Sequence, residues 1–237
     1  TAAQILLNGT VLTSGAGALT INGDVLVAGN SELGVETGNL IVSGTIDGPG
    51  NLVITADSGD IQLQGAVGDT IALASLIINS AGTIDFQDSV TTTGTQQITA
   101  DTIHVAEVHR TGNALLSIHG NVVLQHDTVF STAGGNLVLD SVTGGGHDLQ
   151  LISGAGTTTV TGTLSGIDEL TLQQNAASAT GAVAFQGNLS VNTLTTFARN
   201  YSVSLTGTTT HITNAVTFAN TGGVTLGDGA DELNFSG

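Results

Sequence analysis

The sequence predicts an all-β fold, a right-handed parallel β-helix (solenoid) of about ten coils of roughly 20–24 residues. Three observations point there. Apolar and polar residues alternate with a period of two along nearly the whole chain, as in strands with one buried face. The alternating runs are short and separated by Gly, Asn, Asp or Thr, residues that favour turns. The runs also recur in similar groups, without the Asn-Gly rhythm of two-residue hairpins. Apolar residues at i, i+3, i+4 and i+7 are not sustained anywhere, so no long helix is expected.

The stretch "LASLIINSAGTIDFQDSVTTTGTQQITADTIHV" (73–105) rises to an apolar run four times, with Gly- or Thr-bearing turns between. Strands are read at "NLVITA" (51–56), "GDIQLQG" (59–65), "GTIDFQ" (82–87), "GNLVLDS" (135–141) and "HDLQLIS" (147–153). They continue at "ELTLQQ" (169–174), "AVAFQG" (182–187), "YSVSLTG" (201–207), "AVTFAN" (215–220) and "GVTLGD" (223–228). The block 50–72 aligns with the block 74–96. Leu52 then lies over Leu76, Ile54 over Ile78, Ile61 over Ile84, Leu63 over Phe86 and Val67 over Val90. Three strand runs per period form one coil, and strands of successive coils stack in parallel about 4.8 Å apart. Parallel crossovers are overwhelmingly right-handed, which sets the expected hand.

The predicted core is Val53, Ile61, Leu63, Ile84, Phe86, Leu137, Leu139, Leu149, Leu151, Leu170, Leu172, Val183, Phe185, Val203, Leu205, Phe218, Val224 and Leu226. Val53 and Leu137 flank alternating partners, so an outward orientation is open to them. A β-sandwich pair is the competing fold, but it would want hairpin turns, more aromatics and a non-repeating core.

Composition narrows function. Charged residues are 9% and hydrophobic residues 40% of the chain, which argues against disorder. Nineteen acids face two bases, Arg110 and Arg199, for a formal net charge of −17. Such a surface repels phosphate backbones, so nucleic acid is not an expected partner. No apolar run approaches the roughly 18 residues of a membrane helix, so membrane insertion is not expected. The chain starts at Thr1 and shows no signal peptide. Residues 1–237 read as a single solenoid segment excised from a longer protein. The absence of cysteine decides little about compartment.

Residues 50–107, with "GDIQLQGAVGDTIALASLIINSAGTIDFQDSVTTTGTQQITA", resemble the repeats of very large bacterial exoproteins of the filamentous-haemagglutinin and autotransporter-adhesin type. Those repeats run through a Gly-ending strand, G-x-V-G, a Leu-Ala-Ser-Leu strand, A-G-T-I and V-T-T-T-G-x-Q. The tail "VTFANTGGVTLGDGADELNFSG" is similar in style. The resemblance implies an extracellular, cell-surface setting and a structural or adhesive rod. Its partners would be host-surface or matrix glycans or proteins, with end-to-end or lateral self-association as a further expectation. The alternatives are a polysaccharide-active or carbohydrate-binding β-helix and a self-assembling fibre or surface-layer subunit.

The candidate sites are few. "LGDGADELNF" (226–235) resembles the calcium nonapeptide G-G-x-G-x-D-x-L-x, with Gly227, Gly229, Asp231 and Leu233 matching. Asp228 and Asp231 are therefore the metal candidates, and calcium the one cofactor considered. A calcium roll needs tandem copies and only one is visible, so an acidic solvent turn competes. His104, His109, His119 and His126 could share one face near Glu107 and Asp127. A transition-metal site would need three of them to converge, and no tight spacing enforces that. The close acid pairs are Asp57 with Asp60, Asp85 with Asp88, and Asp168 with Glu169. A lyase would need Lys or Arg to neutralise an enolate-like charge, and Lys is absent. Hydrolase motifs of the Gly-His-Gly and Arg-x-Lys kind are absent too, so no catalytic residue is expected. Tyr201 beside Arg199 would make a small sugar-stacking platform.

Overall fold

The computed structural model describes residues 4–80, 82–176 and 178–237. The chain is all-β, with no helix among the described residues. Every strand pairing recorded is parallel, and the strands stack as a solenoid of about eleven coils. At about 4.8 Å per coil the stack is on the order of 50 Å long.

Each coil contributes to three faces, and each face buries a column of stacked side chains. One column runs Val11, Leu33, Ile54, Ile78, Ile98, Ile118, Leu139, Val160, Phe185, Leu205, Leu226. The second runs from Leu19 through Leu40, Ile61, Ile84, Ile103, Val122, Val142, Leu164 and Leu189 to Thr210 and Leu233. The third runs from Val25 through Ile46, Val67 and Val90 to His109, Phe130, Leu151, Leu172 and Thr196. Aliphatic and β-branched side chains dominate because each must pack on its counterpart one strand spacing away, with its own χ1 restricted.

The five aligned pairs of the sequence repeat are all paired in the structure: Leu52 with Leu76, Ile54 with Ile78, Ile61 with Ile84, Leu63 with Phe86, Val67 with Val90. The four rises of residues 73–105 are the strands Ser75–Ser80, Thr83–Phe86, Val90–Thr92 and Gln96–Val105. Coil length varies slightly more than expected, from 19 residues between Ile84 and Ile103 to 25 between Val160 and Phe185.

Four core expectations need correcting. Val224 and Leu226 are 38% and 43% exposed, and their strand pairs on one side only, with Val203 and Leu205. Val53 is half-buried and points outward between buried Leu52 and Ile54, whereas Leu137 is fully buried. Phe218 is only partly buried, and 215–220 is not a strand. There the Thr196 hydroxyl donates to the Thr217 carbonyl at 3.3 Å and accepts from the Ala219 N–H at 2.7 Å, in place of ladder bonds.

The glycines form columns of their own. A Cβ on Gly38 would strike Gly17, on Gly59 would strike Gly38, and on Gly82 would strike Gly59. Gly156 and Gly181 stack on Gly135 and Gly156, and Gly187 and Gly207 on Gly162 and Gly187. These are corners where one coil's backbone lies directly on the backbone below. Forcing a methyl into such a contact costs about 1–3 kcal/mol. Gly156→Ala should therefore lower unfolding stability by that amount in urea titration. Gly229→Ala, with open space around its position, should stay within about 0.5 kcal/mol of the parent.

Candidate functional site

The carboxylates and amides at the corners mostly serve the fold. Asp24 Oδ1 accepts from the Thr45 N–H at 3.1 Å, Asp60 Oδ1 from Thr83 at 2.8 Å, and Asp127 Oδ1 from Asp148 at 3.0 Å. Asp148 does the same for Glu169 at 2.9 Å. Asn39, Asn136 and Asn188 do so for Asp60, Thr157 and Thr209. Each caps an amide of the following coil that the ladder leaves free, as an N-cap side chain does for a helix. Asp47, 8% exposed, takes two such bonds, from Thr70 at 2.9 Å and Ile71 at 3.1 Å. It thereby holds the extra residues of a 24-residue coil, Ile54 to Ile78, against the stack.

Most members of the close acid pairs are engaged in hydrogen bonds of their own. Asp60 is engaged as above. Asp85 accepts from Gln87 Nε2 at 3.1 Å and Gln62 Nε2 at 3.4 Å, and Asp88 from its neighbour's N–H at 2.6 Å. Asp168 accepts from Asn192 Nδ2 at 2.8 Å, and Glu169 from the Thr195 hydroxyl at 2.6 Å. The grooves on the outside are open to solvent. One of about 270 Å³ runs over Asp127, Asp148, Gln150, Glu169 and Thr195, with one to three polar side chains per coil.

The four histidines read as one face are distributed differently. His104 lies outward, 4.0 Å from Asp85, and His119 lies outward, 3.3 Å from Asp140. His126 neighbours His147, ring centroids 6.3 Å apart, and His147 stands 3.6 Å from Asp127. His109 is inside, fully buried in the third column between Val90 and Phe130. Burial pushes its imidazole down to about 3. Among the described residues no three His, Asp or Glu side chains gather in a way that could hold a metal ion.

Asp228 and Asp231 lie in one turn beneath an exposed edge. Asp231 Oδ2 accepts from the Asp228 N–H at 2.6 Å and the Gly229 N–H at 3.2 Å, and Gly227 supplies a φ of 76°. Those bonds account for the Gly-Asp-Gly spacing as a turn closed by its own side chain. The sugar platform at Tyr201 is corrected outright. The ring is fully buried, its hydroxyl accepts from the Phe197 N–H at 3.1 Å, and it donates to the Leu172 carbonyl at 3.4 Å. Desolvation raises the phenol's pKa, only partly offset by the Phe197 N–H, the Thr196 side chain and the nearby Arg199 charge.

One buried set was missed in the sequence. Thr92, Thr111, Thr132 and Ser153 occupy successive coils at one corner, and each hydroxyl donates to a carbonyl two or three residues on. Gln173 ends the run, donating to Ser153 Oγ at 2.8 Å and accepting from the Gly154 N–H at 2.9 Å. A hydroxyl residue followed within three positions by a small residue, once per coil, was the available signal.

No protein-family model, curated protein or solved structure matches this chain.

Asp47→Ala orphans two amides and should cost about 2 kcal/mol in chemical unfolding, whereas Asp47→Asn keeps an acceptor oxygen and should lose less than half of that. Thermal unfolding at matched ionic strength tests the calcium turn. With a net charge of −17, either NaCl or CaCl₂ should raise the Tm by screening. A saturating calcium-specific rise abolished by Asp231→Ala would assign the turn to the ion instead.

Proposed function

We propose that this chain is a structural or adhesive rod of a secreted, surface-displayed bacterial exoprotein. In this reading it extends a binding region away from the cell, or offers flat outer faces to host or matrix glycans and proteins. The observation that carries the reading is where the polar chemistry goes. Corner carboxylates and amides are spent on joining coil to coil, and the outer grooves are open to solvent. Enzymes instead hold two or more functional groups aimed at one point in a concave site. The repeat resemblance of residues 50–107 supplies the surface setting, and the −17 charge suits a soluble surface that does not bind nucleic acid.

Antibody raised against the purified chain should label intact, unpermeabilised cells of the source organism. Labelling only after permeabilisation would refute the surface placement. The purified chain should release no reducing ends or unsaturated uronides from pectin or alginate. Turnover that disappears in Asp85→Asn or Asp168→Asn would move the reading to the polysaccharide-active alternative.

A further inference from the structure

His109 is the one ionisable imidazole inside the rod, and its surroundings are specified on every side. Phe86 meets it edge-on at 4.9 Å and Phe130 at a tilt, 5.6 Å away. Its Nδ1 lies 3.4 Å from Gln96 Oε1. The Gln96 amide nitrogen donates to the Arg110 carbonyl at 2.7 Å and the Val90 carbonyl at 3.3 Å. That orientation leaves Oε1 for the imidazole and makes Nδ1 the donor. Nε2 is buried and has no hydrogen-bond partner. None of Phe86, Gln96, Val90 and Phe130 is titratable, and the sequence neighbours Glu107 and Arg110 are exposed.

We propose that the coil containing His109 is an acid-labile breakpoint that divides the rod into two separately packed halves. A proton arriving at Nε2 creates an N–H with no acceptor and a charge among phenyl rings, which the packed column does not accommodate. Release of the proton-bound ring requires the coil to open. A solenoid coil contacts only its neighbours, so such opening stays local and interrupts the stack at that level. About five coils remain on either side, each with its own mainly apolar buried columns.

The sign of the pH dependence follows from the burial. The native ring titrates near 3 and an exposed ring near 6.5. Between those values the opened coil binds more protons than the closed one. Closure is complete in its effect above pH 6.5 and weakens as pH falls towards 3. The opening equilibrium should grow about tenfold per pH unit across that window, about 3,000-fold in all.

Hydrogen exchange with mass spectrometry on the whole chain, between pH 7.5 and 4, tests this after correction for intrinsic exchange rates. Amides of 96–111 should lose about tenfold protection per pH unit below 6.5, while those of 33–42 and 183–191 change far less. His109→Leu and His109→Gln should both abolish that slope. The first keeps the column apolar; the second keeps a polar group that cannot be protonated, so it separates charge from packing. The outer histidines and all carboxylates are common to the three proteins, so the difference reports His109 alone. Equal slopes in parent and variants would overturn the proposal. So would end coils that lose protection at higher pH than 96–111.

Discussion

Every position in this chain must tolerate its own counterpart about 4.8 Å away, one coil above and one below. That single spacing sorts the sequence. Side chains that stack on themselves without loss, such as Leu, Ile and Val, fill the interior columns. Where the backbones themselves touch, only glycine fits, and so glycine stacks on glycine at Gly38, Gly59 and Gly82. Where a turn amide would be left facing the coil below, an Asp or Asn side chain from that coil meets it. The monotony of the text is the record of this one constraint applied about eleven times.

The same constraint bears on charge. Stacking identical carboxylates in register would place like charges one strand spacing apart, about 1 kcal/mol per pair even in water. The structure lessens that in two ways. Several carboxylates point into turns, where backbone N–H groups face their negative charge. Asp85, Asp127 and Asp140 also have an imidazole of the neighbouring coil within 4.0 Å, a polar group in place of a like charge. Histidine therefore occurs both outside, next to acids, and once inside, where no acid waits. The exterior is a charge-managed surface and the interior a dry one, and His109 is where the second rule is broken.

Much of the fold was legible because the side-chain period of two and the coil period reinforce each other. Leu52, Leu76, Ile54 and Ile78 declare both at once, so alignment of the repeat gave register as well as architecture. Other features lack such a signature. In "VHRT" (108–111) an alternation can put either His109 or Val108 inside, and the sequence gives the apolar residue no visible disadvantage; the stack decides, because His109 sits over Val90. Tyr201 reads as a surface aromatic beside Arg199, yet its hydroxyl reaches the Phe197 amide and the Leu172 carbonyl, which makes burial tolerable. Val224 and Leu226 carry the alternation of a core strand, but alternation reports which side faces inward, not whether another coil covers it. Of the candidate site, the turn at Asp228 and Asp231 was legible as a Gly-Asp-Gly turn; that Asp231 would satisfy its own backbone amides was not, since spacing alone does not say where a carboxylate points.

Four of the corner caps share a direction. In Asp24 to Thr45, Asp60 to Thr83, Asp127 to Asp148 and Asp148 to Glu169, the acceptor belongs to the earlier coil and the amide to the later one. Glu36, Asp140 and Gln173 run the other way, each reaching back to an amide of the coil before, on Gly15, Gly120 and Gly154. The stack is thus stitched in both senses along its axis, like a seam sewn from both sides.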